Sequence, residues 1–206
     1  LTVVAVTGVT ALVRATALYL RLRGVEHALT EVADWLREDP MKILIAAGDA
    51  SGDIYGGHLA LALREVEPDL EIVGMGGKYM EATGIKAFFD ATSLSSVGFA
   101  EALKNLGIAR RLLLRMARAL EEERPDCVVL IDFPGFNMKF AEIAKRQGFP
   151  AVYFFAPAAW AWGRGRAKRV AQTVDLVISV FPFEEQVYRE AGARVSFVGH
   201  PLLDLV

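Results

Sequence analysis

The sequence of 206 residues contains one cysteine and carries a formal net charge of −2. A single thiol, Cys127 in the apolar run DCVVLI, excludes a disulfide framework or a cysteine-based zinc site and favours a small buried side chain in a reducing compartment. The near balance of charge gives no general reason to expect a nucleic acid partner, so any basic surface must be local. Neither a cofactor nor a metal ion is predicted.

Long uncharged apolar runs are also missing. A membrane-spanning helix needs about 18 or more such residues, and arginines interrupt the apolar stretch at 9–24. No small-residue cleavage site follows a basic start, so a signal peptide is not predicted. Met41 stands directly before the first strand pattern and fits a chain start. Residues 1–40 are interpreted as an extension of unknown role, either the tail of a preceding domain or a mis-joined reading frame.

From Met41 onward, short apolar runs alternate with helical patterns. The predicted strands are KILIAA, EIVGM, KAFF, DCVVLI, AVYFFA, LVISVF and VSFVG. Long helical patterns cover 99–123 and the segment from Asn137 to Gln147. Short Val/Ile/Phe runs are typical of strands buried on both faces. Strict alternation predicts an α/β fold over residues 41–206, a Rossmann-like doubly wound parallel sheet.

Ligands of a doubly wound sheet bind outside the carboxyl ends of its strands. Polar residues and glycines follow the apolar runs at six places, which are 48–53, 74–77, 132–137, 157–162, 181–184 and 199–201. The carboxyl edge of the sheet is therefore the predicted site.

The first of these places is the glycine-rich loop AGDASGD, which joins a strand to a helix as phosphate-binding loops do. It lacks the Gly-Lys-[Ser/Thr] ending of a Walker loop and the G-x-G-x-x-G spacing of a dinucleotide fingerprint. Asp49 and Asp53 would also repel a phosphate. The loop is predicted to hold a different ligand.

The motif IDFPGFN places Asp132 at the end of a buried strand, which Pro134 prevents from continuing. The apolar neighbours Phe133 and Phe136 would raise the pKa of the Asp132 carboxyl, which suits a general base. The alternative is that Asp132 only accepts hydrogen bonds from turn amides while Asn137 caps the next helix.

Two segments combine cations with aromatic or aliphatic side chains. Trp160 and Trp162 lie among the cationic residues of 156–169, a combination typical of an anionic lipid interface or of a stacked nucleotide. The alternative is that both are core anchors. The segment 103–120 has four arginines and Lys104 among leucines, which favours an interfacial helix, with ordinary packing on the sheet as the alternative.

Two further polar residues follow predicted strands. His200 in VGHP is a candidate acid or base, with a structural role at the strand end as the alternative. Glu184 in FPFE lies one turn into a helix after Pro182, where it can also serve only to complement the helix dipole.

Six ordered blocks resemble those of the bacterial lipid-A-disaccharide synthases over residues 41–206. They are AGDASGD, GMGGKYM, IDFPGFN, WAW, FPFE and VGHPLLD. That family condenses UDP-2,3-diacylglucosamine with 2,3-diacylglucosamine 1-phosphate to the β-1,6-linked lipid A disaccharide 1-phosphate and UDP. Its members have two facing Rossmann-like domains. The resemblance implies that 41–206 is the acceptor-side domain, the N-terminal half of a GT-B glycosyltransferase. It also implies that the C-terminal UDP-sugar-binding domain is absent, so that this chain alone would be inactive.

The resemblance also implies roles for particular residues. Asp132 matches the family's proposed base, which takes the proton of the acceptor's 6-hydroxyl. The implied substrate contacts are Gly48, Asp49, Ser51, Gly52, Asp53, Gly76, Gly77, Asn137, Trp160, Trp162, Glu184 and His200. The glycines would let the ligand approach the backbone closely. Acylated substrates imply a cytoplasmic protein attached peripherally to the anionic inner-membrane surface.

Some positions differ from the usual family pattern. Most relatives carry glutamate where this chain has Asp49, and polar side chains where it has Ala156 and Ala158. Two alternatives remain open beside the family's activity. One is another UDP-sugar transferase or epimerase, and the other is a Rossmann-like module that binds a glycolipid or nucleotide without catalysis.

Overall fold

A computed structural model describes residues 41–90, 106–158 and 164–201. These residues form a parallel sheet whose strands are β1 (Lys42–Ala47), β2 (Glu71–Gly76), β3 (Lys86–Asp90), β4 (Cys127–Ile131), β5 (Ala151–Phe154), β6 (Leu176–Ser179) and β7 (Val195–Phe197). The helices are α1 (Ala50–Val66), α2 (Lys78–Ala82), α3 (Leu106–Glu123), α4 (Pro134–Arg146), α5 (Arg164–Thr173) and α6 (Pro182–Glu190). Each strand shown here coincides with a predicted one.

A hydrophobic core covers each face of the sheet. Successive strand residues point to opposite faces, as Leu44 and Ile45 of β1 do. Helices α3, α4, α5 and α6 pack on the Leu44 face, and α1 and α2 pack on the Ile45 face. Because helices cover both faces of the sheet, side chains on both sides of each strand are buried, and the strand sequences are continuous apolar runs. The predicted doubly wound fold is confirmed.

The strand order is β3-β2-β1-β4-β5-β6-β7. Since β1 pairs with β2 on one side and with β4 on the other, the direction in which strands are added reverses between β1 and β4. Such a reversal opens a crevice at the carboxyl ends of the two strands, where ligands of this architecture bind. The loop after β1 and the turn after β4 therefore meet at one place.

Two predicted boundaries need correction. Helix α4 begins at Pro134 and not at Asn137, because Phe133 is the N-terminal flanking residue and Pro134 takes the first turn, where a missing N–H costs nothing. Strand β2 continues through Gly76, so Gly74 belongs to the strand and not to the rim. The predicted helical residues 99–105 lie outside the described residues.

The opposite edge of the sheet carries an ion-pair network. The Lys42 ammonium lies 3.0 Å from carboxylate oxygens of both Glu71 and Glu123, and Lys86 lies 2.9 Å from Glu123. Hydrogen bonds from Lys86 and Lys42 lower the pKa of Glu123. This network ties the starts of β1, β2 and β3 to the end of α3, far from the crevice.

Among the described helices, none is both long enough and apolar enough to cross a bilayer.

Candidate functional site

The backbone turns sharply directly after β4. Asp132 has a φ of 46° and Phe133 a φ of 52°, so two consecutive residues with side chains adopt the left-handed conformation. Such residues cost free energy and persist only where their surroundings hold them. The turn directs the chain from β4 into α4 and leaves Asp132 at the crevice.

Three hydrogen bonds hold this strained residue. The Asp132 carbonyl oxygen accepts from the Tyr153 hydroxyl at 2.9 Å and from the Asn137 side-chain amide at 2.8 Å. The Asp132 N–H donates to the Phe154 carbonyl at 3.0 Å. Tyr153 and Asn137 are both fully buried. We call these two side chains the Asp132 clamp, because their fixed donors position the residue that carries the candidate base.

Asn137 also connects the two strands of the crevice. Its amide nitrogen lies 3.1 Å from the carbonyl oxygens of Ala46 in β1 and Ile131 in β4. The alternative in which Asn137 caps the next helix is wrong, since Asn137 lies within the first turn of α4 and its own N–H donates to the Phe133 carbonyl. Its buried side-chain oxygen finds no hydrogen-bond partner in the described residues. Substrate contact by Asn137 stays a prediction, and the observed bonds give it a positioning role.

The environment of the Asp132 carboxyl favours its protonated form. Burial raises its pKa, the nearby negative charge of Asp49 raises it further, and a hydrogen bond from the Phe133 N–H opposes the shift. A base with a raised pKa is better matched to accept a proton from a hydroxyl near neutral pH. The predicted direction of this shift is confirmed, with Asp49 as an additional cause.

Asp49 caps the helix that follows the glycine-rich loop. Its carboxylate accepts from the Gly52 N–H at 2.6 Å and from the Ser51 hydroxyl at 3.0 Å. An aspartate at this position satisfies an otherwise unpaired N–H of the first helical turn. Asp49 thus has a local structural task as well as its electrostatic effect on Asp132.

Asp53 points into the protein and is 2% exposed. Its two carboxylate oxygens accept from the N–H groups of Gly77 at 2.7 Å, Tyr79 at 3.0 Å and Met80 at 3.0 Å. These three main-chain hydrogen bonds give both oxygens of the buried side chain a partner. Asp53 thus fixes the start of α2 against α1, and its role as a substrate contact stays a prediction that these bonds disfavour.

Side chains of the protein itself lie close to several glycines of the predicted site. A Cβ at Gly48 would lie 2.2 Å from the Phe133 ring, and one at Gly76 would lie 2.2 Å from the Met80 sulfur. A Cβ at Gly52 would lie 2.9 Å from the Asp49 carboxylate. The protein's own side chains therefore explain the absence of a Cβ at these positions, and the close approach of a ligand to the backbone stays a prediction. The Gly77 N–H donates to the Asp53 carboxylate, and contact of Gly77 with a substrate stays a prediction.

A row of aromatic rings borders the crevice. Tyr55 stacks on Phe155 at 4.8 Å between ring centroids, Phe155 contacts His200 at 5.3 Å, and Phe181 contacts both His200 and Phe183 at 5.3 Å. We call these five residues the aromatic row. Its far end is exposed, at 37% for Phe181 and 49% for Phe183. The predicted site residue His200 thus lies in an aromatic environment.

Tyr55 is a further residue of the candidate site that was not predicted from the sequence. Burial, the charge of Asp132 and the charge of Asp49 raise the pKa of its hydroxyl, so Tyr55 lies close to both carboxylates. Tyr55 lies in the first turns of α1, directly after the glycine-rich loop, and this position in the sequence could have identified it as a candidate.

Glu184 lies in the first turn of α6 and is 6% exposed. Burial raises the pKa of Tyr188, and the charge of Glu184 raises it further. The Tyr188 hydroxyl donates to the Pro157 carbonyl. Trp160 and Trp162 lie outside the described residues.

Comparison with known proteins adds independent information. A family model described as Lipid-A-disaccharide synthetase matches residues 43–206. A lipid-A-disaccharide synthase of Trichlorobacter lovleyi is 40% identical over 167 residues, covering 81% of this chain and 44% of the relative. One from Coxiella burnetii is 42% identical over 160 residues, covering 78% of this chain and 43% of the relative. The chain therefore spans less than half the length of these relatives.

Solved structures with low sequence identity share the fold. The UDP-GlcNAc 2-epimerase from Neisseria meningitidis, solved bound to UDP-GlcNAc, superimposes with a TM-score of 0.58 at 15% identity. The match covers 80% of this chain and 48% of that one. This likeness supports the Rossmann-like architecture.

Proposed function

The chain belongs to the lipid-A-disaccharide synthase family, and we propose that it forms the acceptor-side domain of a glycosyltransferase of lipid A synthesis. Its proposed substrates are UDP-2,3-diacylglucosamine as donor and 2,3-diacylglucosamine 1-phosphate as acceptor. A second domain would bind the donor's UDP. The proposal is supported by the family match and by the position of Asp132 at the point where the strand order reverses.

The single observation that carries the proposed mechanism is the strained, clamped Asp132 with its raised carboxyl pKa. Its carboxylate takes the proton of the acceptor's 6-hydroxyl. The oxygen freed of that proton attacks the anomeric carbon of the donor as the bond from that carbon to the UDP oxygen breaks. UDP leaves with the bonding electron pair, and the single displacement inverts the anomeric centre. No covalent intermediate with the protein is formed.

The aromatic row suits an acylated sugar. Tyr55 and Phe155 offer ring faces beside the carboxylates, and Phe181 and Phe183 extend an apolar surface away from them. Rings of this kind contribute apolar contact area, which a diacylated sugar can cover. The polar part of the acceptor would lie at Asp132 and its acyl arms along the row.

Helix α3 supports the proposed attachment to an anionic membrane surface. One surface cavity of α3 is bordered by three arginines, a leucine and one acidic residue, at spacings that place them on one side of the helix: Arg111, Leu114, Arg115, Arg118 and Glu122. Leu114 is 51% exposed. Cations that flank an exposed leucine are typical of a helix lying in the membrane interface.

The full-length protein tests the mechanism through disaccharide formation. Replacing Asp132 by asparagine keeps the shape of the side chain and removes the base, so turnover should fall by about 10²–10⁴-fold. Near-normal turnover in a folded Asp132→Asn variant would remove Asp132 from its role. Absence of turnover in the wild-type protein, combined with binding of the acceptor, would favour a non-catalytic glycolipid-binding module.

The membrane proposal has a separate test. An Arg111→Gln, Arg115→Gln, Arg118→Gln variant should bind vesicles containing phosphatidylglycerol more weakly than wild type at low salt, with the difference shrinking at high salt. Equal binding of both proteins at low salt would contradict an interfacial role of α3.

A further inference from the structure

A second cavity lies beside the crevice, between α4 and α5. Its volume is about 420 Å³, within the range of small-molecule sites, about 300–1,000 Å³. The described lining residues are Pro134, Gly135, Met138, Lys139, Pro157, Arg166, Arg169 and Val170. We call it the α4–α5 cavity. Neither Asp132 nor any residue of the aromatic row is among these lining residues.

The charge of the α4–α5 cavity is positive. Lys139 and Arg166 are exposed cations in its wall, and Lys139 forms no ion pair within the described parts of the chain. Arg169 donates two hydrogen bonds, at 2.6 and 2.9 Å, to one oxygen of Glu142, so its charge is partly compensated. No acidic residue is among the described lining residues. The amino-terminal end of α4 also faces this cavity through Pro134 and Gly135, and the helix dipole there adds to the attraction of an anion.

The walls between these cations are apolar. Met138, Val170 and the rings of Pro134 and Pro157 line the same space. An anion that carries an organic group therefore fits the cavity better than an isolated inorganic ion, because it covers apolar and charged surface together.

The α4–α5 cavity lies next to the turn that carries Asp132. Pro134 follows Asp132 by two residues, and Pro157 follows the end of β5 by three. In a hexosamine 1-phosphate, the carbon that bears the phosphate and the carbon that bears the 6-hydroxymethyl group are both bonded to the ring oxygen. A sugar whose 6-hydroxyl reaches Asp132 therefore presents its phosphate near the same edge of the ring.

We propose that the α4–α5 cavity binds the phosphate of the sugar 1-phosphate acceptor through Lys139 and Arg166. This proposal rests on the proposed function and assigns a second part of its acceptor site. The phosphate then fixes the orientation of the sugar, so that the 6-hydroxyl and not another hydroxyl meets the base.

The experiment compares two double variants of the full-length protein. Lys139→Gln with Arg166→Gln removes two charges from the cavity wall, one on α4 and one on α5. The control, Arg146→Gln with Lys168→Gln, removes two exposed charges from the same two helices at positions outside the described lining. Each variant is assayed with 2,3-diacylglucosamine 1-phosphate and with the same acceptor lacking phosphate, in neutral detergent micelles. All four substitutions replace exposed residues, so we expect both variants to fold like the wild-type protein. Equal melting temperatures would confirm this.

The expected result is selective. The cavity variant should raise KM for the phosphorylated acceptor about tenfold or more, the size of one charge-assisted contact. Its KM for the acceptor without phosphate should stay at the wild-type value, and the control should match wild type with both acceptors. An unchanged KM for the phosphorylated acceptor, or equal rises for both acceptors, would overturn the assignment.

A phospholipid headgroup is the other source of a phosphate for this cavity. Co-sedimentation with phosphatidylglycerol vesicles distinguishes the two sources, since weaker vesicle binding of the cavity variant at unchanged KM would assign the site to lipid and overturn the proposal. The proposed function fails separately, if the wild-type protein forms no disaccharide. Turnover by wild type with no selective effect in the cavity variant contradicts only the cavity assignment.

Discussion

The hydroxyl of Tyr153 on β5 donates a hydrogen bond of 2.9 Å to the main-chain carbonyl of Asp132, which follows the neighbouring strand β4. Because Asp132 is in a strained left-handed conformation, its backbone needs such a restraint to stay in place. Tyr153 is completely buried and cannot touch a substrate directly. Its hydroxyl therefore acts on the candidate site by positioning Asp132.

Replacing Tyr153 by phenylalanine should lower kcat with little change in KM for the acceptor. The substitution keeps the buried ring and removes only the donor to the Asp132 carbonyl. A displacement of the base by a fraction of an ångström to one ångström costs roughly tenfold to hundredfold in rate. The measurement is steady-state disaccharide formation by the full-length Tyr153→Phe variant over a range of acceptor concentrations.

Thr83→Val is the matched control for that substitution. The Thr83 hydroxyl donates to the Met80 carbonyl at 2.7 Å, away from Asp132. Both variants lose one hydroxyl–carbonyl bond, worth about 1 kcal/mol of stability. A similar fall of kcat in both variants would show that lost stability, and not the position of Asp132, limits the rate.

Asparagine at position 49 should separate the charge of Asp49 from its capping role. Asparagine caps helices about as well as aspartate, so the stability of Asp49→Asn should stay near that of wild type. Removing the negative charge lowers the pKa of Asp132, since Asp49 is one cause of its rise. The base then ionises at a lower pH, and the acidic limb of the kcat/KM profile should move to lower pH.

Asp49→Ala completes this comparison. It removes the charge and also the hydrogen bonds to Gly52 and Ser51, so it should lose about 1 kcal/mol of stability while showing the same shift of the acidic limb. If the acidic limb of the kcat/KM profile did not move in either variant, Asp49 would have no electrostatic influence on the ionisation that limits activity.

The candidate base should reduce the stability of the protein at neutral pH. The folded state raises the pKa of Asp132 above its unfolded value, so the folded state binds the proton more tightly. Stability therefore falls as pH rises from the unfolded pKa through the folded pKa. Asp132→Asn should accordingly increase the free energy of unfolding at neutral pH, with a gain that shrinks on acidification toward the unperturbed range of a carboxyl.

Urea unfolding followed by circular dichroism at several pH values measures this effect. Asparagine also tolerates the left-handed conformation well, and this contribution does not depend on pH. The pH-dependent part of the difference thus isolates the charge. A stability gain that stayed constant across the range would indicate that Asp132 ionises as easily in the folded as in the unfolded state.

The sheet and its edge could be predicted from the sequence because each strand is a short apolar run followed by polar residues or glycine. Asp132 was identified for the same reason, since a carboxylate directly after a buried strand must lie at the rim. The roles of Gly48 and Gly76 could not be predicted, because a sequence does not show which side chain fills the space beside a glycine. Phe133, from a distant part of the chain, fills it beside Gly48, and Met80, from the helix that follows β2, fills it beside Gly76.

The Asp132 clamp could not be predicted from the sequence either. The left-handed conformation of Asp132 and Phe133 has no composition signal, since neither residue is glycine. Because the sequence does not reveal this conformation, helix α4 is predicted to begin at Asn137, three residues too late. Tyr153 lies within an ordinary strand pattern, and its hydrogen bond depends on the pairing of β4 with β5.

Asp53→Asn should destabilise the protein markedly. An amide cannot accept as many hydrogen bonds as a carboxylate, so at least one of the N–H groups of Gly77, Tyr79 and Met80 loses its partner. A buried donor left without a partner costs about 1–3 kcal/mol. Exposed Asp69 provides the control, since Asp69→Asn should change the urea midpoint little. Equal midpoints for both variants would contradict the structural role of Asp53.

The position of β1 in the middle of the sheet has a consequence for synthesis. Ile43 of β1 pairs with Cys127 of β4, and Asn137 bonds to Ala46 across 91 residues of sequence. As the ribosome extends the chain, β1 can pair with β2 early, but its other side has no partner until β4 has emerged. A nascent chain that stopped before Cys127 would expose the apolar edge of β1, and unpaired edges of this kind are prone to associate with other chains. The two strands that border the crevice therefore come together only after Cys127 has been synthesised, and until then one edge of β1 lacks its partner.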